Sequence, residues 1–275
     1  MLTRALASSL TIACLAPGCS GSQEAPRVTL AVVVDGRGIQ EATTDLGWRV
    51  QLASCRTVIR DVEFTTAGEF HDGSTTALLV REGLGSSALA WLSGAIVANA
   101  RAHPGHAAGG DIIGELPGRF VVDWCANAGQ SLGDATLTVG DYNGANFFFG
   151  VADEDDGIAP GDSLYGQTTE LVGTAVKDAQ TIAFTAVVAQ DEGREIVGAP
   201  FELDVTATSA NTLGLQLVPT DPFEGDTVFD GVDFAALDED GDGAVALELD
   251  ETTLNLLRRA LQDHDYYLVD PDAGG

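Results

Sequence analysis

The chain has 275 residues, with 42 Asp and Glu against 13 Lys and Arg and a formal net charge of −29. That balance excludes nucleic acid as a partner, because no basic footprint exists to neutralise phosphates, and it excludes a peripheral hold on anionic lipid. The 33 glycines have no collagen period and fall at turns, so the chain is not fibrous.

Residues 1–18 read as a signal peptide. Arg4 precedes an apolar run from Ala5 to Leu15, which is too short to span a bilayer as a helix. The run ends in LAPGC, and Cys19 is the residue at which a bacterial lipoprotein would be cut and lipidated. Cys14 is a worse-placed competitor, and the alternative is plain secretion with a nearby cleavage. Lipidation at Cys19 makes the acyl chains the only membrane anchor, with residues 19–27 as tether. The expected location is the periplasm or the outer cell surface. Two further cysteines, Cys55 and Cys125, are expected to pair as a disulfide in an exported chain. The alternative is a thiolate pair for a soft metal.

Residues 28–38, VTLAVVVDGRG, read as a strand and a turn. Residues 48–65 alternate well enough for two strands or one long bent strand, with Trp48, Val50 and Leu52 on one face. Residues 77–80 and 88–100 are apolar, and the second stretch fits a short helix or a strand. RFVVDWCA, residues 119–126, reads as a strand. Residues 134–153 read as strand, turn, strand, with the bend at Asn143-Gly144. Residues 169–190 and 194–219 continue the pattern. Many short strands separated by Gly and Asp turns predict an all-β fold, a β-sandwich over residues 28–219, rather than a closed barrel.

Residues 220–275 form an acidic extension expected to pack on the main domain. In it, 252–269 carries the helical pattern, with Thr252 or Thr253 as cap and Leu254, Leu257 and Leu261 in one stripe. DPDAGG at the end reads as frayed. Before the helix, DEDGDGAVALEL has the calcium-loop arrangement of carboxylates at positions 1, 3 and 5 and glycine at 6, supplied by Asp238, Asp240, Asp242 and Gly243. Ala244 would add its carbonyl. Position 12 should be a bidentate acid but is Leu249, and Glu248 is the candidate to close the cage. The alternative is an acidic turn before a strand AVALEL.

Three histidines lie in polar turns: His71 in TTAGEFHDGS, and His103 and His106 in AHPGHAAGGD. Pro104 and Gly105 make a turn of the second stretch, and a turn can aim both imidazoles at one ion. Neutral imidazole suits copper, zinc and iron. Glu115 in GELPG has no catalytic companion, and the chain has neither a nucleophile elbow nor a G-x-G-x-x-G loop, so no enzyme is expected.

The run HPGHAAGGDIIGELPGRFVVDW, followed by LGDATLTVGDYNGANFFF, resembles the periplasmic copper-binding family of methane-oxidising bacteria that includes MbnP-like and CorA/MopE-type proteins. The resemblance is strongest over residues 102–149. It implies an exported β-sandwich holding one copper ion through histidines, joined in some members by a kynurenine made from tryptophan, and a redox protein partner. Carried over, the histidine pair is His103 and His106, with His71 upstream. Two residues before His71 this chain has Glu69 where the family pattern has the tryptophan, and Trp48, Trp91 and Trp124 stand next to no histidine. An unmodified histidine site is therefore expected. Glu69, Asp72 and Asp111 would suit zinc if they turned inward. The expected function is copper binding, for metal handling or electron exchange rather than turnover. The alternative is a cell-envelope structural or interaction module stiffened by calcium.

Overall fold

The computed structural model describes residues 25–68, 110–126 and 129–273. Within them the architecture is a mixed β-sheet of sandwich-like topology with short helices near the C-terminus, as the strand spacing predicts. The strands are β1 (Arg27–Val34), β2 (Ala42–Thr43), β3 (Arg49–Thr65), β4 (Ile112–Asp123), β5 (Ser131–Thr138), β6 (Gly140–Phe149), β7 (Thr169–Lys177), β8 (Gln180–Val188), β9 (Glu195–Val205), β10 (Thr212–Leu217), β11 (Ala244–Ala246) and β12 (Tyr267–Asp270). Two helices, α1 (Phe234–Leu237) and α2 (Glu251–Ala260), lie in the acidic extension. Hydrogen-bonded neighbours run β11-β8-β7-β3-β4-β5-β1-β10-β12, while β6 pairs with β3 and β9. The pairs β1–β10 and β8–β11 are parallel.

β3 organises the fold. It is one long strand, and its register shifts around Asp61, whose φ is +46°. Its first half pairs with β7 and its second half with β6, while β4 runs along the other side. Trp48, Val50 and Leu52 face inward together, as their alternation requires. The 134–153 region bends at Val139-Gly140, not at Asn143-Gly144. Those two residues lie inside β6 at a register shift against β9. Glycine is needed at 144 for close approach, because a Cβ there would sit 2.9 Å from the Gly68 Cα and 3.0 Å from the Ala67 oxygen. β4 runs through GELPG, so Glu115 sits on a strand.

The acidic extension shares the core of the strands that precede it. Phe234 meets Trp48 edge-on at 5.5 Å and Phe184 at 5.3 Å, and Phe229 meets Phe184 at 5.4 Å. Tyr267 meets Phe147 at 5.0 Å. Helix α2 begins earlier than expected: Asp250, two residues before Thr252, is the N-cap, accepting the Thr253 N–H at 2.7 Å. Leu257 and Leu261 are buried, and Leu254 packs partly on the core. The helix is shorter than its pattern suggests, because residues 267–270 pair with β10 as β12. The tail is not frayed as far as Ala273, whose N–H bonds to the Thr212 oxygen at 3.0 Å.

The cysteine pairing is corrected. Cys55 and Cys125 are free thiols. Cys55 is buried on β3, while Cys125 is half-buried in the turn after β4. Both backbone N–H groups donate to the same oxygen of Asp123, each at 3.0 Å. The carboxylate therefore organises the backbone here, where a disulfide was expected to do so.

Candidate metal centres

Among the described residues, two groups bring three metal-ligating atoms within 4.8 Å of one another: Asp238, Asp240 and Asp242, and Asp263, His264 and Asp265. Both suit a metal ion, and they differ in construction.

The first group occupies the loop between α1 and β11. Phe234 anchors the approach, and the Asp238 N–H closes α1 on the Phe234 oxygen. Gly241 and Gly243 have φ of +72° and +80°, the left-handed backbone that turns the loop on itself. Each carboxylate accepts a nearby backbone N–H. Asp238 takes that of Gly243 at 3.2 Å, Asp240 that of Asp242 at 3.3 Å, and Asp242 that of Ala244 at 2.9 Å. The loop is fixed to the sheet where the Ala183 N–H meets the Gly243 oxygen at 2.8 Å and where β11 lies parallel to β8.

The strand AVALEL is shorter than its alternation suggests. Only 244–246 pair, and Leu247–Leu249 form a 3-10 turn. That turn buries Leu247 and leaves Leu249 85% exposed, so Leu249 does not pack on the core. Glu248 is not one of the three grouped residues, and its Oε2 is buried without a hydrogen-bond partner.

The second group was missed by sequence reasoning, which read DHD as the tail of a helix. It sits in the 3-10 turn His264–Tyr266 between α2 and β12. His264 Nδ1 lies 3.4 Å from Asp263 Oδ1, and its Nε2 lies 3.3 Å from Asp265 Oδ1. The His264 and Asp265 side chains are 11% and 2% exposed. Burial pushes the neighbouring Tyr266 phenol well up, and the charges of Asp263, Asp221, Asp230 and Asp226 push it further. Acids of the 221–230 loop are thus near enough to Tyr266 for their charge to act on it. No familiar spacing marks this site. The signal available was a histidine flanked by two aspartates outside the leucine stripe.

The thiols are poor metal ligands as they stand. Burial, then Asp123, pushes Cys125 up to about 12. Burial, then Cys125 and Asp123, pushes Cys55 well above the usual thiol range. Both are protonated at neutral pH, and the thiolate is the ligating form.

His71, His103, His106, Glu69, Asp72 and the lipidation residue Cys19 lie outside the described residues, as do Trp91 and the apolar stretches 77–80 and 88–100. What is described is the pair of strand ends that flank residues 69–109. The Thr66 N–H bonds to the Asp111 oxygen at 3.1 Å, and the Gly110 N–H to the Ala67 oxygen at 3.5 Å. Trp48 and Trp124 are core residues. Comparison with protein-family models, with characterised proteins and with solved structures finds no match to this chain.

Proposed function

We propose that the chain is an exported, lipid-anchored β-sandwich that binds metal ions and does not turn over a substrate. The observation that carries the metal reading is the convergence of Asp238, Asp240 and Asp242 within 4.8 Å. Calcium is the ion that suits this loop, because every donor is a hard oxygen and the left-handed glycines keep the loop compact enough to surround an ion. Three carboxylates so close repel one another, and a divalent cation converts that repulsion into order. The ion is structural, since the loop is fastened to β8 and to the core through Phe234. Purified protein should melt higher in millimolar calcium than in EDTA, with magnesium less effective because of its tighter octahedral demand. An equal melting temperature in calcium and EDTA reduces the loop to an acidic turn.

The finer reading adds copper at His71, His103 and His106, for metal handling or electron exchange with a redox partner. It rests on the HPGH spacing and the family resemblance, and it is helped by one observation. The stretch bearing all three histidines leaves β3 and returns to β4 between hydrogen-bonded strand ends. Anaerobic titration should give about one copper per chain, abolished in His103→Ala/His106→Ala, as a single histidine site requires. Equal uptake by that variant refutes copper and leaves a calcium-stiffened cell-envelope module.

A further inference from the structure

We propose that Glu63, set opposite Glu115 in the β3–β4 ladder and near Glu195 of β9, is a proton-operated clasp: its protonation tightens the strand ends that flank residues 69–109. The register places the acids. Glu63 on β3 is paired with Glu115 of β4 on one side and with Asn146 of β6 on the other. Directly opposite side chains in an antiparallel pair come within about 4.5–5.5 Å at Cβ, and like charges there repel. Asn146 is buried, and its amide is committed to β9. Its Nδ2 donates to Glu195 Oε1 at 3.4 Å, and its Oδ1 accepts the Gly198 N–H at 3.0 Å. The Glu195 carboxylate is thereby held near the same row. Asp61 lies at the register shift just before Glu63, where its Oδ1 accepts the Gly118 N–H at 3.0 Å.

Among the described residues, the charges that act on Glu63 are all negative. The arginines of the same strands are engaged elsewhere: Arg60 faces Glu192 at 3.7 Å, and Arg119 meets Asp156 at 2.6 Å and Asp153 at 3.3 Å. Arg27 of β1 lines the cleft that Glu115 borders and does not figure among the charges on Glu63. Glu63 is half-buried. Burial, then Glu195, Asp61 and Glu115, raises its carboxyl above the ordinary carboxylate value. A folded-state value above the unfolded one means that the proton's contribution is complete below about pH 4 and is lost as pH rises through the folded value. A protonated Glu63 also gains an O–H to donate, so one proton exchanges a repulsion for a hydrogen bond. The position gives this leverage. Just past Glu63, Thr65 pairs with Ile112, and the Thr66 N–H bonds to the Asp111 oxygen at 3.1 Å.

The test follows thermal unfolding of the full mature chain, at constant calcium, from about pH 4 to about pH 8. Glu63→Gln keeps the shape and cannot ionise. It should melt about 1–4 °C above the wild type at about pH 8 and level with it at about pH 4. Glu115→Gln, at an exposed residue, should show the same pattern, and the double variant should gain less than the sum of the two, since they relieve one contact. Protection of the Thr66 N–H from hydrogen exchange, corrected for the intrinsic rate, should rise on acidification in the wild type and stay level in Glu63→Gln. If Glu63→Gln fails to fold by far-ultraviolet circular dichroism, Glu115→Gln decides by the same measurements. A gap of equal size at every pH marks a packing effect and overturns the clasp. So does a deciding variant that melts at or below the wild type at about pH 8, or one whose Thr66 protection rises as the wild type's does.

Discussion

The loop at 238–242 and the turn at 263–265 are both made of aspartates, yet they solve opposite problems. Asp240 and Asp242 are exposed, and backbone N–H groups of their own loop answer them. Water screens their mutual repulsion, so the loop survives without an ion, only less ordered. Asp265 is buried, with the His264 imidazole beside it. Solvent screens little there. A surface cluster of acids is thus a tunable site for an abundant ion. A buried cluster commits its fold to a specific positive charge, whether proton or metal.

The strongest way to break this comparison is to remove what ties the first loop to the core. Phe234→Ala should cost about 3–5 kcal/mol in denaturant unfolding, since the ring is wholly buried between Trp48 and Phe184. It should also abolish the calcium response, because the loop loses its anchor. A variant that keeps a full calcium response would mean that the loop folds without the core.

Calcium itself should act next in size. At an affinity of about 10⁻⁴–10⁻³ M, about 5 mM calcium adds roughly 1–2 kcal/mol, visible as a higher melting temperature. Asp240→Ala should erase most of that gain. If it erases none, the ion sits elsewhere.

A third acidic region sharpens the contrast, because its partner is built in. Arg56 donates to Asp162 at 2.7 and 3.0 Å and to Glu170 at 2.7 Å. The Arg56 hydrogen bonds lower Asp162 to about 2. A folded-state value below the ordinary carboxylate value means the contribution is complete above about pH 4 and is lost as pH falls through about 2. Melting temperature followed from about pH 5 to about pH 2 should fall less steeply in Asp162→Asn than in the wild type. Parallel curves would show that the pair adds nothing.

The smallest expected effect is none. Alkylation and peptide mass analysis of unfolded protein, without reductant, should find Cys55 and Cys125 each modified. Reductant should leave the melting temperature unchanged. A linked peptide pair would contradict the free thiols.

Much of the fold was legible because alternation is a local signal. Trp48, Val50 and Leu52 announce an inward face, and residues 169–190 continue the strand pattern that β7 and β8 fulfil. What failed were features that depend on partners. Asn143-Gly144 has turn chemistry, but its glycine is there to let Gly68 approach. Leu249 belongs to an apolar alternation, but a 3-10 turn rotates it outward. The loop aspartates could be read because calcium loops have a fixed spacing. His264 could not, because aspartates at adjacent positions on either side of a histidine form no recognised ligand spacing, and the turn that brings them together ends a helix the sequence pattern carries further. The cysteines misled because export favours pairing, while the structure assigns Asp123 the organising role.

The position of β1 has a mechanical meaning. It is held along both edges, antiparallel to β5 and parallel to β10, and β10 in turn holds β12. Just past β1, Arg37 joins Asp35 at 2.7 Å to Asp270 on β12 at 2.6 Å. A pull on the residues before Arg27 runs along β1 and loads two ladders in shear, so many hydrogen bonds must yield at once rather than one after another. The opposite end of the chain resists less. Among the described residues β12 has a strand ladder only with β10, so beyond the Arg37–Asp270 pair it would peel first under load.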